Sequence, residues 1–460
     1  MNLKRLFGKN ESLLDYYHQT IRWIQKNTIP GEGIAISKKI QKPYEEVTGY
    51  IIPPLLEFGH HDIAEKYLKW LISVQCLNGS FNGSDGTPSF FDTGQVLRGF
   101  LAMHDYYQYR GNMAMVMNCN TVMTRALFWM ADQIESDGSI RIPNRDVFRY
   151  APGEIAPEQI MLYALEPMRR AALMLGRSAI LPKIDHSIIH YTHPIPATLS
   201  HYQAYIEDAL IDLGSPELSR ESPIPKYNCI PGTYQSVIIA AKLGFPTHLK
   251  WIGLTGGDAR YFPDDELSWS AKFFLDALDC HMRSAFKPDK NHPDTISKHD
   301  ARYRAIHDTV NGPFILDAGA GTGRYAARLK EDHPDTNILC MDISMVMVTR
   351  CRDRGFSSTR GSLMNLPHLS GRFNTTYCVE ALEHCVNKTA AISELCRVTA
   401  PDGSVVIIDK DELTSVKMAL APWEEWPESS AVIHEMEKHC SSVTENQLDN
   451  IFTCWVGVKK

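Results

Sequence analysis

The chain lacks several features that mark particular classes of protein. Its 460 residues include 11 cysteines, an odd number with no C-x-x-C pair among them. That pattern disfavours a disulfide framework and a dithiol redox motif, and suits free thiols in a reducing compartment. There is no basic excess: 47 Lys and Arg stand against 54 Asp and Glu, a formal charge of −7, so nucleic acid is disfavoured as a partner. No stretch approaches the ~18 to 20 apolar residues of a membrane-spanning helix. Met1 to Asn10 carries basic residues, but Glu11 to Thr20 is polar and amphipathic, unlike a secretory leader. A cytoplasmic location without a membrane span is expected. What remains, 44% apolar and 22% charged, is the composition of an ordinary globular protein, long enough for two or three domains.

The first 285 residues contain a worn internal repeat. Trp23, Trp70 and Trp129 each sit near the end of an amphipathic pattern, and eleven residues after each stands an apolar residue in a glycine-containing turn: Ile34, Phe81 and Ile140. A second helix start follows, at Val47-Thr48-Gly49-Tyr50, at Asp92-Thr93-Gly94-Gln95, and more loosely at Pro157-Glu158-Gln159. A fourth copy is read at Cys229 to Leu243, and Ser268 to Leu278 closes the set. Helical hairpins of this length cannot bury their apolar faces singly and must stack. Closed into a ring they give an α/α toroid. The turn Gln75 to Phe81 resembles those of the toroids of terpene cyclases, prenyltransferases and polysaccharide-active enzymes. No D-x-D-D acid cluster is present, so cyclase chemistry is disfavoured. His60, His61, Tyr106, Tyr107, Arg145, Arg149, Tyr150, His201 and Tyr202 are candidates for groups around a central cavity. Lys287 to Asp300, with Pro288 and Pro293, reads as a linker.

The most informative stretch lies beyond that linker. Phe314 to Leu316 is the apolar run of a parallel strand, Asp317 stands where it ends, and Gly319, Gly321 and Gly323 follow at alternate positions before a helix starting at Arg324. Such a turn lets a ligand lie against bare backbone. A dinucleotide fingerprint spaces its glycines G-x-G-x-x-G; here the spacing is D-x-G-x-G-x-G. A carboxylate repels a pyrophosphate and attracts an ammonium, which disfavours a nicotinamide-dependent oxidoreductase.

These residues closely resemble motif I of the class I S-adenosylmethionine-dependent methyltransferases, and the resemblance extends from about Ala301 to the C-terminus. Asn337 to Asp342 is similar to the family's second strand, with Asp342, 25 residues beyond Asp317, placed to accept the ribose hydroxyls. Gly361 to Pro367 looks like the loop after the third strand, with Ser362 where the family carries an acid facing the adenine. Glu380-Ala-Leu-Glu-His384 is similar to the segment after strand four, Ser404 to Asp409 to strand five, and Ile451 to Val458 to the last, antiparallel strand. Arg302 to Thr309 resembles the helix that precedes strand one.

The resemblance implies S-adenosylmethionine as cofactor, held by Asp317, Gly319, Ala320, Gly321, Gly323, Asp342, Ile343, Ser362, Leu363 and Glu380. His384, with Glu383, is the candidate for taking a proton from an acceptor hydroxyl. No metal is implied, because Cys340, Cys351, Cys378, Cys385, His368 and His384 lack the paired spacing of a zinc site. Trp423 to Trp426 is expected to be a helix sealing the sheet, with an aromatic platform for a sugar ring as the other reading.

The expected architecture is therefore two-domain: an all-α toroid over residues 1–285, a linker over 286–299, and a doubly wound, Rossmann-like α/β methyltransferase sheet over 300–460. The expected function is methylation of a small-molecule or glycan acceptor, with a saccharide or glycolipid hydroxyl held by the toroid. The rival reading is a carbohydrate-binding or sugar-modifying toroid beside a degenerate methyltransferase scaffold. Oligomeric state is left open.

Overall fold

The computed structural model describes residues 12–192, 194–288, 294–410 and 420–460. Its helical part begins with α1 (Leu13–Lys26), α2 (Glu45–Tyr50), α3 (Ile52–Glu57), α4 (His61–Val74), α5 (Phe90–Tyr109) and α6 (Met113–Gln133). A two-stranded hairpin, β1 (Arg149–Ala151) and β2 (Glu154–Ile155), follows. Then come α7 (Leu162–Met174), α8 (Leu181–Tyr191), α9 (Ser200–Asp212), α10 (Pro216–Arg220), α11 (Ile230–Lys242) and α12 (Ser268–Ala285).

The repeat seen in the sequence has a structural cause. The amide of Ile34 donates to the hydroxyl of Thr48 at 3.1 Å, and that of Phe81 to Thr93 at 2.9 Å. Each threonine also donates back to the carbonyl four residues earlier, Tyr44 or Ser89. The T-G pair thus ties a turn to the start of the next helix. Its glycine lets neighbouring helices touch: a Cβ on Gly49 would lie 2.5 Å from the Val96 Cα, and one on Gly94 the same distance from the Ala164 Cβ. The third copy has no threonine. There the amide of Ile140 donates to the Tyr191 hydroxyl from α8, at 2.8 Å, which is why its sequence is looser.

The helices contact one another in a circuit: α2 and α3 on α5, α5 on α7, α7 on α9, α9 on α11, α11 on α12, and α12 back on α2 and α3. Helices α1, α4, α6, α8 and α10 pack against this circuit. Between its members lie tilted rings, Tyr163 against Tyr205 at 4.4 Å and His201 against Tyr205 at 4.5 Å, with the Lys272 ammonium 3.9 Å from the centre of the Phe273 ring. Pro167, inside α7, has no N–H to offer the Tyr163 carbonyl. Arg98 from α5 donates to that carbonyl instead, at 2.8 Å, and pairs with buried Glu166 at 2.8 Å. Of the ring candidates, His201 and Tyr202 are buried here, His60 is hydrogen-bonded to Tyr17, and Arg145 and Arg149 lie exposed.

The C-terminal part is a seven-stranded sheet of β3 (Phe314–Ala318), β4 (Asn337–Asp342), β5 (Ser357–Arg360), β6 (Phe373–Val379), β7 (Thr399–Asp409), β8 (Cys440–Leu448) and β9 (Phe452–Lys459). Their order is β5-β4-β3-β6-β7-β9-β8, parallel from β5 through β7 and antiparallel at β9 and β8. Helices α13 (Ala301–His307), α14 (Arg324–Asp332), α15 (Met345–Asp353), α16 (Lys388–Val398) and α17 (Ser429–His439) complete it. The strand order reverses at β3, and the crevice beyond the carboxyl ends of β3 and β6 is where such sheets bind ligands. The edge strand β8 was not expected from the sequence, because most of its side chains are exposed and polar.

The two parts share a core cluster, and a second, from Tyr303 to Cys454, lies wholly within the C-terminal part. The shared cluster of buried apolar residues runs from Leu13 to Trp455. Across the junction Arg110 pairs with buried Glu394 at 2.6 Å, Asn387 donates to the Phe58 carbonyl, and the Ser362 hydroxyl donates to the Glu57 carbonyl. The stretch read as a linker is anchored at its start, where the Phe286 carbonyl accepts from Ser344 at 2.7 Å; residues 289–293 lie outside the described residues. At the same junction Gly59 has φ +73°, and a Cβ there would meet the Ala390 Cβ of α16 at 2.2 Å. Gly59→Ala is therefore expected to cost at least about 1 to 3 kcal/mol from backbone strain alone, read as a lower urea midpoint.

Candidate active site

The site is built on the turn after β3. Gly319, Gly321 and Gly323 have φ of +80°, +54° and +76°, a region that strains any residue with a Cβ. A Cβ on Gly319 would also meet the Ala381 Cβ at 2.6 Å. The amides of Gly319 and Ala320 donate to the Met341 carbonyl at the end of β4. The Asp342 carboxylate completes the frame, one oxygen accepting from the Gly321 amide at 2.9 Å and the other from the Ser344 amide at 2.8 Å. A carboxylate has about four lone-pair positions, so both oxygens retain capacity for ribose hydroxyls. Burial raises the pKa of this carboxyl.

A cavity of about 410 Å³ opens over this turn. Asp317, Gly319, Ala320, Gly321, Asp342, Ile343, Ser362, Leu363, Glu380, Glu383 and His384 all line it. Gly323 does not; it caps the start of α14. Asp317 is buried, and its Oδ2 has no hydrogen-bond partner among the described residues. Burial pushes its carboxyl up to about 7. A buried carboxylate oxygen without a partner is costly, and an ammonium placed beside it would supply an opposite charge. The donor set therefore fits a methionine-type amino group against Asp317 and a ribose against Asp342.

Two expected contacts take a different form. The Ser362 hydroxyl is committed, donating to the Glu57 carbonyl of the helical part at 3.0 Å and accepting from the Met364 amide. It joins the two parts of the chain instead of facing an adenine. Glu380, at φ +49°, is held by Arg302 at 2.6 Å, Lys410 at 2.8 Å and Arg324 at 3.3 Å. Burial would raise its carboxyl, and these cations outweigh that and lower it.

His384 lines the same cavity. Its Nδ1 lies 2.6 Å from Glu424 Oε1, and its Nε2 lies 4.0 Å from Glu383 Oε1. Burial alone would lower the imidazole's pKa, but the Glu424 hydrogen bond and the nearby carboxylate charge raise it. Glu383 is different in kind. Burial, and then the neighbouring Asp409, push it up to about 9. Asp409 itself accepts from the amides of Leu382, Glu383 and Lys410. Glu424 and Asp409 were missed in the sequence because each lies far along the chain from His384 and carries no local motif.

The segment around Glu424 is a loop, not the expected helix. Trp423 is buried against the His281 ring of α12 at 5.3 Å, and Trp426 lines the cavity. The helical part adds Met282, Phe286, Lys287 and Pro288 to the lining. Among the described residues, no group of three or more His, Cys, Asp or Glu stands where it could hold a metal ion.

Residues 316–407 match the family model described as a methyltransferase domain. An O-methyltransferase of Aspergillus nomiae is 28% identical over 109 residues, 22% of this chain and 48% of that protein. Another O-methyltransferase, from Pyrenophora dematioidea, is 31% identical over 133 residues, 26% of this chain and 49% of that one. A solved S-adenosylmethionine-dependent methyltransferase of Thermotoga maritima, described as a possible histamine N-methyltransferase, is similar with a TM-score of 0.31 and 18% identity, over 35% of this chain and 88% of that one. The chain spans about half the length of the curated relatives it matches. The C-terminal part carries a methyltransferase domain, and S-adenosylmethionine is its cofactor.

Because Asp317 must be ionised to attract an ammonium, cofactor affinity is expected to rise between pH 6 and pH 7.5, across a carboxyl pKa of about 7. In Asp317→Asn that dependence should vanish and affinity fall by roughly tenfold or more, about 1 to 3 kcal/mol. Calorimetric titration at several pH values checks both.

Proposed function

We propose that the protein methylates a hydroxyl oxygen of a small acceptor, using S-adenosylmethionine. The observation that carries this reading is the His384–Glu424 pair at 2.6 Å, set in the same cavity as the glycine turn. Relatives named O-methyltransferase support it.

When bound, the cofactor supplies a sulfonium methyl that passes to the acceptor oxygen while sulfur keeps the bonding pair. The chain's own residues do the rest. Glu424 accepts from Nδ1–H of His384, which fixes the tautomer and turns the Nε2 lone pair toward the cavity. Nε2 takes the proton of the acceptor hydroxyl, and Glu424 stabilises the imidazolium so formed. Arg302, Arg324 and Lys410 hold Glu380, keeping the end of β6 rigid beside the reacting groups.

The closed circuit of helices supports reading residues 1–285 as an α/α toroid, with residues 286–299 as the connection and 300–460 as the methyltransferase unit. The saccharide acceptor rested on ring architecture alone, which is an analogy of fold. A sugar-binding toroid beside a degenerate scaffold is disfavoured by the glycine turn and by the buried Asp317 left for an ammonium.

His384→Asn is expected to lower turnover by about 10²- to 10⁴-fold with cofactor affinity unchanged, measured by release of S-adenosylhomocysteine. Full turnover in that variant would remove the general-base role. Glu424→Gln takes away a group that raises the His384 pKa, so the acid limb of the pH–rate profile should move to lower pH as the maximum rate falls.

A further inference from the structure

Among the described residues, most carboxylates and hydroxyls at the acceptor end of the cavity are already committed. Glu380 is taken by three cations, Glu424 by His384 and the Ala421 amide, and the Ser362 hydroxyl by the Glu57 carbonyl. Glu383 Oε2 is the exception, buried without a hydrogen-bond partner among the described residues. A saccharide brings several hydroxyls into a site, each of which costs free energy when desolvated without a partner.

The walls are flat and apolar instead. The Phe286 ring lies 4.8 Å from the His384 ring at 58°, and Met282, Leu420 and Trp426 line the same space. Phe286 is held in place through its carbonyl by Ser344. It leaves the last turn of α12, so the helical part supplies one wall of the acceptor site. Aromatic and thioether walls of this kind favour a ring packed against them.

The acidity of the hydroxyl points the same way. A phenol ionises near pKa ~10, whereas an alkyl hydroxyl lies closer to water at ~15.7. Each unit of that gap is a factor of ten against proton transfer to an imidazole. A phenol therefore asks less of the His384–Glu424 pair than an alkyl hydroxyl does.

We infer, resting on the O-methyltransferase reading, that the acceptor is a phenol whose aromatic ring lies between Phe286 and the Leu420–Trp426 side of the cavity, with its hydroxyl at His384 Nε2. The proton goes to Nε2 as the phenol oxygen gains the methyl group, so a phenyl methyl ether, S-adenosylhomocysteine and an imidazolium are the balanced products. Phe286, directly after α12, is a specificity-determining residue.

The test uses the full chain with methyl-labelled S-adenosylmethionine and two matched sets of acceptors, mono- and dihydric phenols and methyl glycosides. Cofactor binding is followed separately by calorimetry. The expected result is transfer to phenols at least 100-fold faster than to glycosides. Phe286→Ala is expected to raise the phenol KM at least tenfold with kcat and cofactor Kd little changed, and Phe286→Tyr to restore it. Equal or faster transfer to glycosides, or bound cofactor with transfer to neither set, overturns the phenol assignment and leaves the methyltransferase domain standing. An unchanged phenol KM in Phe286→Ala overturns the role of Phe286. Failure to bind the cofactor removes the reading on which the inference rests.

Discussion

The Asp342 carboxylate is the constraint on which the rest of the site depends. Its two oxygens hold the amides of Gly321 and Ser344, so the turn after β3 and the turn after β4 are fixed to each other before any ligand arrives. With three residues in the left-handed region, the glycine turn has little intrinsic preference for its conformation, and the tether supplies it. The same fixing leaves Asp317 buried beneath the turn with one oxygen unpaired. Frame and vacancy are thus two results of one arrangement.

The second feature is the depth to which the helical part enters the methyltransferase unit. The Glu57 carbonyl receives the Ser362 hydroxyl, Arg283 at the end of α12 pairs with Glu57, and Phe286 continues from that helix to the His384 ring. One short path of contacts therefore joins the loop after β5, the last helix of the circuit and the base. The acceptor side of the cavity takes its shape from residues more than a hundred positions apart.

Much of this was legible in the sequence where the cause is local. Three glycines at alternate positions after an apolar run and an acid specify a turn, and the T-G pairs mark helix starts because one threonine ties two elements together. The parts that were not legible depend on distant partners. Ser362 reads as a ligand-facing residue until the Glu57 carbonyl is placed beside it. Glu424 sits between two tryptophans in a pattern that suits a helix, yet Trp423 is drawn instead against His281 of α12 and the segment becomes a loop. Edge strand β8 carries mostly exposed, polar side chains and so lacks the apolar run that marks a strand in the sequence. The third repeat hides because a tyrosine from α8 does the work of a threonine.

The shared core bears on how the chain can be divided. A fragment beginning near residue 300 would present Glu394 without the Arg110 guanidinium and uncover the apolar surface of α16 that Gly59 now touches. Water would have to solvate a face shaped to receive another protein surface, and such a piece would tend to associate with itself. The cofactor cleft and the helical circuit are thus physically a single object, although their sequences read as two.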